Sequence, residues 1–229
     1  MSEIVQLGAV DKFKCPAYVA RAPGQAHAAV VVVQERFGVY SHIRALADDF
    51  AHQGYLAIAP AAFHRVRPDV ELDYGPDDIE QGRLLKAEVE ALPAPGVAAD
   101  IAAAIAYGAA ATAGRVGIVG YCWGGLLAWR SACNLPGLRA AVAYYGGGMT
   151  SGVEAARRPL CPVMCHFGEQ DHAIPVQGVR VFQAAQSQVQ VHIYAAAHGF
   201  SCDQRGSYDA QAAALARERT LAFFALHLG

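Results

Sequence analysis

Apolar and polar positions in this chain follow two rhythms in turn. Near the start, Ile4 to Leu7 and Ala17 to Ala20 are strand-like stretches separated by the polar pair Asp11 and Lys12, which predicts an opening hairpin. Further along, Ala28 to Val33, Leu56 to Ala59, Val116 to Val119, Ala140 to Tyr145, Val163 to Phe167 and Val189 to Tyr194 are apolar on consecutive positions rather than alternate ones. A strand with no polar face is one buried on both sides, as in a parallel sheet. Between these runs the apolar positions recur with helical spacing over Ser41 to Gln53, Ile79 to Glu90, Val97 to Ala106, Trp123 to Cys133, Val176 to Gln186 and Tyr208 to Leu226. Ser41 and Ser207 are the expected N-caps of the first and last of these helices.

Repeated alternation of buried strand and helix predicts a mostly parallel sheet flanked by helices, with ligands held at the carboxyl ends of the strands. At 229 residues, without internal repeats or a Ser- or Pro-rich linker, the chain fits a single domain spanning 1–229. One stretch, Phe63 to Asp78, breaks the rhythm and is rich in charge and proline. It reads either as a cap over the site or as a solvated excursion.

Composition narrows the function classes. The formal net charge is -2 and the basic residues are scattered, so there is no electrostatic footprint for nucleic acid. The longest apolar stretches are too short to span a bilayer, and Met1 to Asp11 has no long apolar core. A cytoplasmic monomer acting on a small organic substrate is therefore expected, with its six cysteines as reduced thiols.

The chemistry is concentrated at Gly120, Tyr121, Cys122, Trp123 and Gly124, between a strand-like run and a helix-like one. That placement reads as a nucleophile elbow carrying cysteine: a turn tight enough to push out a reactive atom leaves no room for flanking side chains. The helix behind the sulfur brings its positive end close and favours thiolate. A buried structural cysteine in an ordinary strand-to-helix turn is the competing reading.

A thiol nucleophile requires a base and an acid to orient it, and both occur at later strand ends. Asp171 follows Val163 to Phe167, and His198 follows Val189 to Tyr194 with Gly199 beside it. The order nucleophile, acid, histidine is that of the α/β-hydrolase fold. His166 and His192 fall inside strands, His172 adjoins Asp171 too closely to be oriented by it, and Glu169 competes with Asp171. A zinc cluster of Cys161, Cys165, His166 and His172 has unsuitable spacing, and no CxxC partner accompanies Cys122 for redox chemistry.

Several stretches together resemble the dienelactone hydrolase (carboxymethylenebutenolidase) family over nearly the whole chain. They are Gln34 to Val39, Ala57 to Pro60, Val119 to Gly125, Tyr144 to Gly146, Gly168 to His172 and His198 to Phe200. The resemblance implies an α/β-hydrolase fold and a hydrolase that opens unsaturated lactones in chloroaromatic breakdown, with no metal or organic cofactor. It implies a triad of Cys122, Asp171 and His198, and a glutamate, matched by Glu35, in contact with the resting thiol. The oxyanion hole falls on the amides of Trp123 and Arg36.

Arg36, Phe37, Arg83, Tyr145 and Arg205 are the candidate substrate contacts. The resemblance is imperfect at the pocket: the family's arginine four residues beyond the catalytic histidine is Cys202 here, and its other arginine falls near Gly82 and Arg83. A carboxylesterase or thioesterase with another small substrate, or a non-catalytic receptor of the same fold, are the alternatives.

Overall fold

A computed structural model describes all residues, Met1 to Gly229. Eight strands form an open, mostly parallel sheet with helices flanking it. The chain divides into two compact units, residues 1–117 and 118–229, which are described in turn.

The first unit contains β1 (Ser2–Gly8), β2 (Lys14–Ala20), β3 (Ala28–Val33), α1 (Ser41–His52), β4 (Tyr55–Pro60), α2 (Pro76–Glu90) and α3 (Val97–Ala111). The opening hairpin is present, with β1 antiparallel to β2 from Ser2↔Ala20 to Gly8↔Lys14. Its turn passes through Lys12 in the left-handed region, at φ 70°. β2 pairs antiparallel with β4, and β4 pairs in parallel with β3. Every residue of β3 and β4 is buried, as their uninterrupted apolar sequences require. α1 covers the sheet with Ile43, Ala47, Phe50 and Ala51, the i, i+4, i+7, i+8 stripe of an amphipathic helix.

Three helix boundaries differ from the sequence expectation. Ser41 is the first helical residue and Tyr40 the N-cap, with no side-chain capping bond. α2 starts at Pro76, because proline supplies a helical φ where its missing N–H costs nothing, and Asp77 and Asp78 favour the first turn's positive end. α3 runs on to Ala111 because alanine continues a helix whether or not the apolar stripe does.

The second unit contains α4 (Trp123–Asn134), β6 (Ala140–Tyr144), α5 (Gly152–Ala155), β7 (Val163–Gly168), α6 (Val176–Ala185), β8 (Gln190–Tyr194) and α7 (Ala210–Leu228). The strand preceding α4 is β5 (Val116–Tyr121). β6, β7 and β8 lie side by side in parallel. β8 is the edge strand and is only partly buried, so its apolar run does not mark burial on two faces.

The last helix is capped by Asp209 rather than Ser207: the Asp209 carboxylate accepts from the Ala212 amide at 2.8 Å. α5, a single turn, lies in a stretch with no helical periodicity. Its Glu154 is buried and held by Arg130 and Arg157 at 2.8 and 2.7 Å.

Candidate active site

The turn at Cys122 is built by steric exclusion. β5 ends at Tyr121 and α4 begins at Trp123, so Cys122 alone makes the turn. It adopts φ 54°, ψ -116°, a conformation that side-chain-bearing residues rarely take and that typically costs about 1–3 kcal/mol. The surroundings hold it there: the Cys122 amide donates to the Tyr144 carbonyl at 3.0 Å, and the Gly125 amide to the Cys122 carbonyl at 2.9 Å. A Cβ on Gly120 would overlap the Gly124 carbonyl, and one on Gly125 would press on the Tyr144 carbonyl. Trp123 opens α4, where a helix's first amides take partners from outside the helix.

The acid follows β7. The Asp171 carboxylate is buried and divides its two oxygens. Oδ1 accepts from the amides of Ala173 and Ile174 at 2.8 and 3.1 Å, closing the turn, while Oδ2 meets His198 Nδ1 at 2.7 Å. Asp171 is thus both turn aspartate and partner of a histidine. Its competitor Glu169 is exposed, as is His172, the alternative to His198.

The base follows β8. His198 is part-buried, with Nδ1 on Asp171 and Nε2 3.1 Å from Cys122 Sγ. These contacts join Asp171, His198 and Cys122 in one run. Burial works against a charged imidazole, but the neighbouring Cys122 charge and the hydrogen bonds to Asp171 and Cys122 push His198 up to about 10.

Tyr145 lies beside this histidine at a ring separation of 5.1 Å, and its hydroxyl shares a 2.6 Å hydrogen bond with Ser201. Arg205 folds over Gly199: any Cβ there would collide with its guanidinium, so the glycine makes room for the arginine as well as for the turn. Cys202 is buried. Ser201, half-buried and next to that cysteine, was not among the sequence candidates. Only its spacing from His198 hinted at it.

His166 is a structural residue. It is fully buried, with Nδ1 2.8 Å from the Tyr194 hydroxyl and Nε2 3.1 Å from that of Thr220, and burial holds it well below the usual histidine range. All six cysteines are free thiols.

In the first unit, Glu35 directly follows Gln34 beyond the end of β3 and is completely buried. Its Oε2 accepts from the Tyr40 hydroxyl at 2.6 Å. Gln34 fixes the local backbone, donating to the Glu35 carbonyl at 3.1 Å and accepting from the Ala62 amide at 3.0 Å. Phe37 is buried, with the Arg36 guanidinium carbon 5.7 Å from its ring centre.

Gly82 of α2 packs against the Arg36 carbonyl so closely that a Cβ would overlap it. No side chain fits at 82. Its neighbour Arg83 is exposed and bound to Glu80 at 2.6 and 2.8 Å. The segment over 63–75 is tied to the loop after β3 by a Gly38↔Glu71 bridge and a Leu72 amide to Phe37 carbonyl bond of 2.9 Å, and to α1 by the Arg44–Glu71 ion pair.

Residues 15–228 match the dienelactone hydrolase family. A carboxymethylenebutenolidase of Pseudomonas putida is 35% identical over 211 residues, covering 89% of this chain and 88% of that protein. A Synechocystis protein provisionally named carboxymethylenebutenolidase is 35% identical over 215 residues, covering 87% of this chain and 86% of its own. Among solved structures, a provisionally named dienelactone hydrolase from Klebsiella pneumoniae superposes with a TM-score of 0.83 at 32% identity, covering 98% of both chains. By sequence and by fold, this chain belongs to the dienelactone hydrolase family and is a hydrolase of esters or lactones.

Proposed function

We propose that this protein is a cysteine-dependent hydrolase that opens a lactone, or cleaves a small ester, through Cys122, His198 and Asp171. The observation that carries the reading is the run of contacts from Asp171 Oδ2 through His198 to Cys122 Sγ, at 2.7 and 3.1 Å. The Cys122 thiol gives its proton to His198 as its sulfur attacks the substrate carbonyl carbon, forming a C–S bond and moving the carbonyl electron pair onto oxygen. The resulting oxyanion is held by the amides of Trp123 and Arg36. Collapse breaks the C–O bond to the ring or leaving oxygen, which takes its proton from His198. In a lactone that oxygen stays on the same molecule, so the intermediate is a ring-opened thioester. Water then adds with His198 accepting its proton, and the thiolate departs to leave the acid. Asp171 keeps the imidazole aimed throughout.

Glu35 contacts the resting thiol in this reading and restrains it by like charge until substrate displaces it. Phe37, Tyr145 and Arg205 line the substrate. An ester or lactone different from the chloroaromatic dienelactones is favoured by one specific observation: Gly82 has no room for an arginine, and Arg83 is exposed and occupied with Glu80. No helix is long and apolar enough to cross a membrane. We assign the protein to the cytoplasm, acting as a single-domain monomer.

The test is acyl-enzyme trapping. Mass spectrometry after a brief exposure to p-nitrophenyl acetate should find an acetyl group on Cys122 in wild type, with turnover abolished in Cys122→Ala. Retained turnover in the alanine variant would reject the mechanism.

A further inference from the structure

The surroundings of Glu35 contain more than a carboxylate at the end of a strand. Burying an ionised carboxyl is costly unless hydrogen bonds replace the lost water. For Glu35 one of those bonds is the 2.6 Å donation from Tyr40, short as charge-assisted bonds are. A phenol has one proton to give, and Tyr40 gives it to Glu35. The Tyr40 oxygen still accepts, and the atom in contact with it is the Tyr74 hydroxyl.

With Tyr40 donating to Glu35, the Tyr40 oxygen is left to accept from Tyr74. Each bond polarises the next. The rings are fixed as well as the hydroxyls. Phe37 stands edge-on to both, at 6.0 Å from Tyr40 and 4.8 Å from Tyr74. Tyr74 is carried by the stretch that Leu72 and Glu71 tie to Phe37 and Gly38.

We propose that Tyr40 and Tyr74 are positioning residues for Glu35: the pair of hydroxyls holds its carboxyl group in one rotamer and couples it to the 71–74 stretch. This deepens the functional reading above and rests on the braking role given there to Glu35. Without the Tyr40 hydroxyl the buried carboxyl group loses the bond that fixes its position, and the brake on the thiol weakens. Without the Tyr74 hydroxyl the same change follows to a smaller degree, because one bond still reaches Glu35.

The experiment uses the whole protein with two readouts. In 13C NMR of protein labelled at the glutamate side-chain carboxyls, the resonance lost in Glu35→Gln identifies Glu35. It should move in Tyr40→Phe, and move less in Tyr74→Phe, while the other glutamates stay in place. Both variants keep the ring and remove only the hydroxyl. The second readout is the rate of iodoacetamide alkylation of Cys122 at neutral pH. Tyr40→Phe should accelerate it about threefold or more in the wild-type background and by less than about 1.5-fold in Glu35→Gln, the non-additivity expected of residues that act through one another.

A Glu35 resonance unmoved in Tyr40→Phe overturns the proposal, as does equal acceleration in both backgrounds. A resonance moved by Tyr40→Phe but not by Tyr74→Phe overturns the two-hydroxyl relay. An alkylation rate unchanged in Glu35→Gln itself removes the braking role, and the NMR result then decides the tyrosines alone.

Discussion

Asp171 holds His198 with one carboxylate oxygen and its own turn with the other: Oδ2 meets Nδ1 at 2.7 Å while Oδ1 takes the Ala173 and Ile174 amides. The two jobs can be separated by substitution. Asp171→Asn keeps an oxygen for the amides but sets an NH2 donor against the Nδ1 proton, so turnover should fall by a factor on the order of 10² to 10⁴ with little loss of stability. Asp171→Ala should lose the same activity and, in addition, about 1 kcal/mol or more of stability from the uncapped amides. Chemical denaturation alongside kcat distinguishes them; equal stability in the two variants would show that Oδ1 contributes nothing.

Paired with the Cys122 thiolate, His198 is pushed up to about 10. Because its folded-state value lies above the unfolded one, the stability it contributes is fully present below an unfolded value of about 6.5 and is lost as pH rises through its folded value. Burial opposes the charged form, and Cys122 is the largest influence in its favour. In Cys122→Ala the midpoint should therefore fall, as followed by the imidazole proton resonances. A midpoint that stays put in the alanine variant would mean that Asp171 alone supports the charge. His172, exposed to solvent, should tolerate alanine with turnover near wild type.

The arginines are distinguished by their surroundings. Arg205 lies over Gly199 beside the histidine, whereas Arg83 points into solvent and pairs with Glu80. Arg205→Met should lower kcat/KM about ten- to a hundredfold on a lactone bearing a carboxylate and far less on its methyl ester, the scale of a lost charged hydrogen bond. Arg83→Met should leave the ratio between those substrates unchanged, and Arg36→Met serves as the third arm. A ratio unaffected by Arg205→Met would take that residue out of anion selection.

Away from the site, Arg65 carries a structural burden. Its guanidinium binds the wholly buried carboxylate of Asp100 at 2.7 Å, also meets Asp11, and lies over the Phe13 ring at 4.3 Å. Arg65→Met leaves Asp100 buried without its counter-charge, a loss of about 3–5 kcal/mol by the usual scale for broken buried pairs. Burial already pushes Asp100 up against the pull of Arg65. A raised carboxyl value means a cost that appears as pH rises above the unfolded value, so the variant's deficit should shrink on acidification. Urea midpoints at neutral and mildly acidic pH measure both effects.

Most of this architecture was legible because apolar runs and helical periodicity report burial directly. That Cys122, Asp171 and His198 could meet was legible because each lies in the segment that follows a strand. The errors have separate causes. The N-caps expected at Ser41 and Ser207 were misplaced because a capping serine and one near the cap look alike in sequence; the side chain of Asp209, not Ser207, reaches an amide. β8 is an edge strand because sheet order, which decides two-sided burial, is not written in the run itself.

The Tyr74–Tyr40–Glu35 chain was out of reach for another reason. Its members lie 34 and 5 residues apart, with no periodicity to link them, and meet only because Glu71 and Leu72 anchor their stretch to the loop after β3.

The left-handed backbone at Cys122 has a consequence for how such a protein can change. That conformation is imposed by Gly120, Gly125 and the Tyr144 carbonyl, none of which touches the choice of side chain at 122. Sulfur, oxygen or a bare methyl would all be presented from the same mount at the same backbone cost. Reactivity at this position is thus free to vary independently of the scaffold: exchanging thiol for hydroxyl alters the chemistry without renegotiating the fold, while altering either glycine disturbs the mount whatever atom it carries.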